Sequence, residues 1–165
     1  MHVKHFDLDT LLQVDRETRA YMAGFFDGEG CVLIARRGVL KRNATQQVER
    51  VFSLTATIAQ GSKEVLELYH NLFGGVLHVD ERKRGGFSPR DYQIWEWYIN
   101  GNLQVPVFLQ FIRPFVRVKH EELDVALKFA ETYKELSEDQ REAMRQQMRT
   151  IRAERKQRME MEDGG

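Results

Sequence analysis

The alternation of apolar and polar residues along the chain predicts two β-hairpins. Residues 31–37 and 48–59 have strand-like composition, and the polar, basic residues 38–47 between them suit a turn. Strict alternation in the second strand indicates one buried and one solvated face. The predicted inward positions are Phe52, Leu54, Ala56 and Ile58, and the outward positions are Val51, Ser53, Thr55 and Thr57.

A helix is predicted before each hairpin. The first is expected to begin after an N-cap at Asp15 and to end at Glu29. The second covers residues 63–73, with Ser62 as the predicted N-cap. It leads into a second hairpin, with strands over residues 76–82 and 90–100. This order predicts an α+β fold in which a four-stranded antiparallel sheet is backed by helices.

Three further helices are predicted, over residues 103–114, 120–136 and 138–161. Pro114 is expected to end the first of them. The last has only a thin apolar stripe, so it could pack on the body, contact a partner with its arginines or lie loosely. We expect one domain over residues 1–136, with residues 137–165 as a C-terminal helical extension of that domain.

Small residues recur every four positions in the first helix. Ala20, Gly24 and Gly28 therefore share one face, and each glycine costs about 1 kcal/mol relative to alanine. Such a face allows another backbone to approach closely. We expect Gly30 to adopt the left-handed cap conformation. Glu29 would then be exposed at the negative end of the helix, where its carboxylate could hold a hard cation such as Mg²⁺.

The net charge of zero conceals an uneven distribution. Residues 31–119 contain 13 lysines and arginines against 7 acids, whereas residues 1–30 and 120–165 each have a net charge of −3. The basic middle segment carries the predicted strands and favours a polyanionic partner. A single cysteine, with no apolar run of signal-peptide or membrane-spanning length, predicts an intracellular, reducing compartment and no membrane partner.

Residues Met22 to Gly30 spell Met-Ala-Gly-Phe-Phe-Asp-Gly-Glu-Gly. This stretch resembles the motif of the LAGLIDADG homing endonucleases, and its single occurrence resembles their homodimeric type. The resemblance covers residues 18–134 and implies an αββαββα fold. It also implies that the first helices of two subunits pack together through Ala20, Gly24 and Gly28.

The resemblance further implies a site-specific double-strand DNA endonuclease that hydrolyses phosphodiester bonds. Glu29, where aspartate is the more usual residue, and the carbonyl of Gly28 would hold Mg²⁺. Mn²⁺ would substitute for it, Ca²⁺ would support binding without cleavage, and no organic cofactor is implied. Lys119 corresponds to an active-site lysine and Gln60 to a residue that orders solvent. Glu64 departs from the family, which often has a basic residue there.

By the same resemblance, the sheets of a homodimer would lie on a long, pseudo-palindromic duplex, and cleavage would occur across its minor groove. The candidate DNA-binding residues share basic or hydrogen-bonding side chains on the predicted strands, turns and basic segment. They are Arg36, Arg37, Lys41, Arg42, Ser53, Thr55, Thr57, His78, Arg82, Lys83, Arg84, Gln93 and Arg117.

Two other interpretations remain open. The chain could be a nucleic-acid-binding protein that keeps the fold without cutting, such as an RNA splicing maturase or a transcription regulator. It could also be a small α+β protein that dimerises through a glycine-rich helix. Glu29 and Lys119 favour cleavage, because a protein that only binds has no need of a carboxylate facing phosphates.

Overall fold

A computed structural model describes residues 8–40, 48–80 and 93–163 of the chain. Within these ranges the chain forms ten helices and strands. In order they are α1 Leu8–Leu12, α2 Arg16–Glu29, β1 Gly30–Leu40, β2 Val48–Gln60, α3 Lys63–Phe73, β3 Val76–Val79, β4 Trp95–Asn100, α4 Gln104–Ile112, α5 His120–Thr132 and α6 Glu138–Asp163. The predicted α+β fold and its αββαββα order are confirmed.

The four strands form one antiparallel sheet in the order β1-β2-β4-β3. The register of β1 and β2 pairs Gly30 with Ile58 and Arg37 with Val51. Side chains alternate between the two faces of a strand. The buried residues of β1, β2 and β4 therefore share the face that packs against the helices, whereas the opposite face, called here the outer face, is not covered by them.

Aromatic side chains fill the space between the sheet and the helices. Phe108 of α4 packs edge-to-face against Phe26, Phe73 and Trp97, with ring centroids 5.0 to 5.3 Å apart. Tyr69, also fully buried, donates its hydroxyl to the carbonyl of Met22 at 2.6 Å. A buried tyrosine needs such a partner. This core fixes α2 on the sheet and so sets the position of its C-terminal end.

The long helix α6 packs on the body of the domain. Met148 is buried in the core, and Met144 and Ile151 pack against it. Ser137 and Gln140 form a capping box at its start. The backbone N–H of Gln140 donates to the Ser137 hydroxyl, and the side-chain oxygen of Gln140 accepts the backbone N–H of Ser137. Of the three arrangements open from the sequence, packing on the body is therefore the one that the structure shows.

Several boundaries differ from the predicted ones. β1 continues through Gly38 to Leu40, β3 ends at Val79 and β4 begins at Trp95. Helix α1 was not predicted, because five residues carry too little periodicity. Ser62 stands at the N-cap of α3, but its side chain makes no capping hydrogen bond. Among the described residues, no helix combines the length and apolar character that crossing a membrane requires.

Candidate functional site

Helix α2 carries the residues of the motif and brings them to one end of the sheet. Its start is fixed by Asp15, whose carboxylate accepts the backbone N–H of Thr18 at 2.7 Å, as predicted for an N-cap. At its other end, Gly30 is extended (φ −81°, ψ 161°) and begins β1, so the predicted left-handed cap is wrong. A Cβ at Gly30 would lie 2.3 Å from the ring of Phe26, and this contact explains the need for glycine.

Lys119 lies with its ammonium against the last carbonyls of α2. Its side chain is only 7% exposed. Nζ donates to the carbonyls of Phe26 at 3.2 Å, Asp27 at short range and Gly28 at 3.4 Å. The Phe26 carbonyl also accepts the N–H of Gly30, but those of Asp27 and Gly28 lie past the last helical hydrogen bond. This end of the helix carries partial negative charge, so a cation is stabilised there. The structure thus brings the predicted lysine to the helix end that bears Glu29.

The pKa of Lys119 is lowered, chiefly because burial disfavours the charged ammonium. Arg155 adds a like charge that lowers the pKa further, whereas Asp27, Glu122 and Cys31 oppose the shift. The ammonium is therefore held by local geometry against a desolvation cost. The surrounding residues thus fix the position of the Lys119 side chain, since an exposed lysine would show none of these contacts.

Asp27 holds the segment that delivers Lys119. Its carboxylate accepts the backbone N–H groups of Arg117, Val118 and Lys119 at 2.6, 2.9 and 2.8 Å. Three donors on one carboxylate fix the segment against α2. Sequence reasoning did not single out Asp27. The available signal was its position inside the motif, where an ionisable side chain stands among residues that are mostly small or aromatic.

Glu29 and Gly28 supply oxygen donors of the kind that Mg²⁺ prefers. Glu29 is exposed and makes no hydrogen bond or ion pair with the rest of the described chain. Mg²⁺ takes about six oxygen ligands, and one copy of the chain offers two at this position. Among residues 8–40, 48–80 and 93–163, no three histidine, cysteine, aspartate or glutamate side chains cluster as a metal site. The donor chemistry fits Mg²⁺, but the ligand set from one chain is incomplete.

Gln60 lies at the same end of the sheet as Glu29. Because Gly30 pairs with Ile58, the last residue of β2 extends just beyond the start of β1. The Gln60 side chain accepts the N–H of Gly61 at 2.6 Å. The neighbouring Lys63 pairs with Glu67 at 2.8 Å and lies 5.0 Å from the centre of the Trp95 ring. Lys63 is thus engaged elsewhere, and the exposed Glu64 places an acid one turn beyond Gln60.

The predicted interface residues of α2 are on its exposed side. Ala20, Gly24 and Gly28 are all exposed, while Met22, Ala23 and Phe26 on the other side are buried. A Cβ added at Gly24 or Gly28 would meet no atom within 4 Å. The glycines are therefore not required by packing within the described part of the protomer.

The outer face of the sheet carries a network of polar side chains. Thr55 donates to Asn100 at 2.7 Å and Thr57 to Glu96 at 2.9 Å. His78 lies beside Glu96, with 3.7 Å between Nε2 and Oε2. Ser53 and Arg37 share this face through the register of β1 and β2. The structure therefore brings Arg37, Ser53, Thr55, Thr57 and His78 together on one face.

The other candidate DNA-binding residues are not all on that face. Arg36 has the parity of the buried residues Val32 and Ile34, and its guanidinium pairs with Glu142 of α6 at 3.2 Å. Gln93 and Arg117 are exposed outside the strands. The remaining candidates lie outside the described residues: Lys41, Arg42, Arg82, Lys83 and Arg84.

Comparison of the sequence with protein-family models and with curated proteins gives no match. Solved structures do match. The homing endonuclease I-CvuI, in complex with a DNA target in the presence of magnesium with the DNA not cleaved, is 16% identical, with a TM-score of 0.58 over 82% of each chain. The homing endonuclease I-TnaI is 17% identical, with a TM-score of 0.55 over 83% of this chain and 97% of that one.

A third matching structure is described by the name of the motif itself. I-GzeII, a LAGLIDADG homing endonuclease in complex with its DNA target, is 16% identical with a TM-score of 0.54, over 82% of this chain and 43% of that one. These likenesses support the resemblance first seen in residues Met22 to Gly30. The chain has the fold of the LAGLIDADG homing endonucleases.

Proposed function

We propose that the protein is a site-specific, Mg²⁺-dependent double-strand DNA endonuclease that acts as a homodimer. One observation carries this proposal: the buried Lys119 ammonium is held at the end of α2 that also presents the exposed Glu29. A cation and a free carboxylate at the same end of one helix suit phosphodiester hydrolysis, in which negative charge develops on the phosphate oxygens. A protein that only bound DNA would gain nothing from an exposed acid there.

The homodimer would form through the exposed side of α2. A two-fold axis beside Ala20, Gly24 and Gly28 would bring the two Glu29 carboxylates close together. Like charges at short range repel unless a cation lies between them. Glu29 and the Gly28 carbonyl of both subunits, together with phosphate oxygens of the DNA, would complete the ligand set that a single chain leaves short.

Each residue of the site has a distinct task in this proposal. When bound, Mg²⁺ lowers the pKa of a coordinated water and neutralises charge on the phosphate. Lys119 adds positive potential beside the reacting phosphate, and Asp27 keeps its segment in place. Gln60 orders solvent at the same end of the sheet. The oxygen donors of Glu29 and Gly28 hold the metal.

The outer face would recognise the duplex in the major groove. Hydroxyl, imidazole and guanidinium groups of Arg37, Ser53, Thr55, Thr57 and His78 can bond to base edges there. The exposed Arg117 would contact a phosphate. Arg36 is better assigned to the packing of α6, because its guanidinium is paired with Glu142 on the helix side of the sheet.

A library of partly palindromic, randomised duplexes tests the proposal. The protein is incubated with the library in Mg²⁺ and separately in Ca²⁺, and bound and cut molecules are sequenced. We expect staggered ends at one sequence in Mg²⁺ only, and enrichment of the same sequence without cutting in Ca²⁺. Enrichment of one sequence without cutting in either ion would contradict an endonuclease.

That contrary outcome would support the alternative function, a nucleic-acid-binding protein that does not cut. One observation favours it. Glu64 puts a negative charge near Gln60, and the adjacent Lys63 is held by Glu67 and Trp95. Structured RNA would then be the next ligand to test, since a splicing maturase would prefer RNA and a transcription regulator would prefer DNA.

We expect the substitution Gly24→Leu to disrupt the homodimer while leaving each protomer folded. A side chain at Gly24 meets no described atom of its own protomer, but it would separate two helices packed through this face. Analytical ultracentrifugation should show monomers at concentrations where the wild type is dimeric. Ala143→Leu, at an exposed position of α6, adds an apolar side chain elsewhere and is the matched control. A dimer that survives Gly24→Leu would exclude this face as the interface.

A further inference from the structure

Arg155 and Glu122 form a buried ion pair beside Lys119. Arg155 Nη2 lies 3.0 Å from Glu122 Oε1, and the side chains are 17% and 2% exposed. Both residues line a cavity of about 740 Å³ that is also lined by Lys119, Asp27 and Gly28. Helix α6, which the motif does not include, therefore reaches the wall of the candidate active site.

The carboxylate of Glu122 is only partly satisfied. Its Oε2 atom is buried and has no hydrogen-bond partner among the described residues. A buried carboxylate strongly favours contact with a cation. Two cations, Lys119 and Arg155, line the same cavity as this carboxylate.

Lys119 therefore has two alternative partners. Lys119 immediately precedes α5, and Glu122 stands in the first turn of that helix. Residues three apart at this position are neighbours on a helix surface. The flexible four-carbon stem of a lysine can move its ammonium between nearby acceptors. In the structure the ammonium is at the carbonyls of α2, and Arg155 is at Glu122.

We propose that Arg155 is a positioning residue of the active site. By occupying Glu122, it keeps the Lys119 ammonium on the carbonyls at the C-terminal end of α2, the end that bears Glu29. Without Arg155, the buried carboxylate takes Lys119 as its partner and draws the ammonium away from α2. The importance of this position for cleavage rests on the proposed endonuclease function. The inferred placement of the Lys119 ammonium does not depend on that function.

The first test measures that placement directly. NMR spectra of protein with ¹³C- and ¹⁵N-labelled lysine report the side-chain Cε–Hε signal of each lysine, and Lys119→Arg assigns the signal of Lys119. We expect Arg155→Met to shift this signal. Adding Glu122→Gln to Arg155→Met should return it, because the competing charge is gone. A Lys119 signal that Arg155→Met leaves unchanged would overturn the proposal.

The second test measures cleavage of bound DNA in a single turnover. Misplacement of a reacting or stabilising group by about 1 Å can cost about 10²-fold in rate, and we expect a loss of that order for Arg155→Met. DNA affinity in Ca²⁺ should stay near the wild-type value. The double variant Arg155→Met with Glu122→Gln should recover most of the rate, and Arg155→Lys should keep most of it. Equal losses in the single and double variants would overturn the proposal.

Arg158→Met is the matched control. Arg158 is an exposed arginine of the same helix and pairs loosely with Glu121 at 3.8 Å. Its loss removes the same charge, and neither the Lys119 signal nor cleavage should change. All rates are measured below the onset of thermal unfolding of the least stable variant. If the wild type cuts no DNA but the NMR cycle gives the expected shift and return, the positioning role stands and the endonuclease proposal fails.

Discussion

Replacement of Glu29 by glutamine is expected to lower the rate of DNA cleavage by about 10³-fold or more, with DNA binding in Ca²⁺ almost unchanged. The carboxylate is exposed and makes no hydrogen bond or ion pair with the rest of the described chain. An amide of the same shape should therefore leave the fold intact. It removes one negative charge from the place where two subunits would hold the metal.

The measurement compares single-turnover cleavage with equilibrium binding to the sequence selected from the library. Glu29→Asp keeps a carboxylate on a side chain one methylene shorter and is expected to retain cleavage. Glu131→Gln makes the same chemical change at an exposed position of α5 and should have no effect. Loss of both binding and cleavage in Glu29→Gln would show that Glu29 has a structural role instead.

Replacement of Lys119 by methionine is expected to reduce cleavage by about 10²-fold to 10³-fold, the cost of losing one group that stabilises developing charge. Methionine has a similar length and fills the same space, so the chain around residues 117–119 should remain anchored. That anchor is made by backbone N–H groups on the carboxylate of Asp27, which the substitution does not touch.

The stability of Lys119→Met should change much less than its activity. The carbonyls of Phe26 and Gly28 lose a charge-assisted donor, which costs about 1.5 to 3 kcal/mol for such a hydrogen bond. Burial lowers the pKa of Lys119, so the charged form carries a desolvation cost that methionine avoids. These effects oppose one another.

Thermal unfolding and single-turnover cleavage together test this prediction. We expect a melting temperature lowered by only a few degrees, since about 1 kcal/mol corresponds to roughly 2–4 °C in a protein of this size. Lys128→Met, an exposed position of α5, is the control for loss of a positive charge. A Lys119→Met variant that cuts at the wild-type rate would remove Lys119 from the catalytic machinery.

The sequence predicted correctly those elements that depend on interactions between residues close together in the chain. The outward and inward residues of β2 follow the period of a half-buried strand, and Phe52, Leu54, Ala56 and Ile58 are all buried as expected. The N-cap at Asp15 is confirmed because an aspartate accepting the N–H of Thr18 needs no distant partner. The predicted bounds of α3 agree with Lys63–Phe73 without a side-chain cap, because the apolar residues that predict it, Leu66, Tyr69 and Phe73, repeat within the helix and are buried.

Predictions that depended on packing were less successful. The backbone of Gly30 is extended because this residue begins β1 and pairs with Ile58, and glycine is needed there because the ring of Phe26 lies where a Cβ would be; a turn-propensity argument contains neither contact. The contacts of Asp27 with Arg117 and Val118 join residues 90 and 91 positions apart. No periodicity encodes such a pairing. Arg36 was assigned to DNA binding although it has the same parity as Val32 and Ile34, whose burial places it on the helix side.

Helix α6 also affects the behaviour of the free protein, before any partner is bound. β1 is an edge strand of 11 residues, and unpaired edges of that length invite pairing with other chains. Arg152 of α6 donates to the Val32 carbonyl of this strand at 2.5 Å, and Glu142 pairs with Arg36 further along. The helix thus lies against the edge strand of the described sheet and occupies one of its carbonyls, so the element that reaches the site also leaves less of that edge open to pairing with another chain.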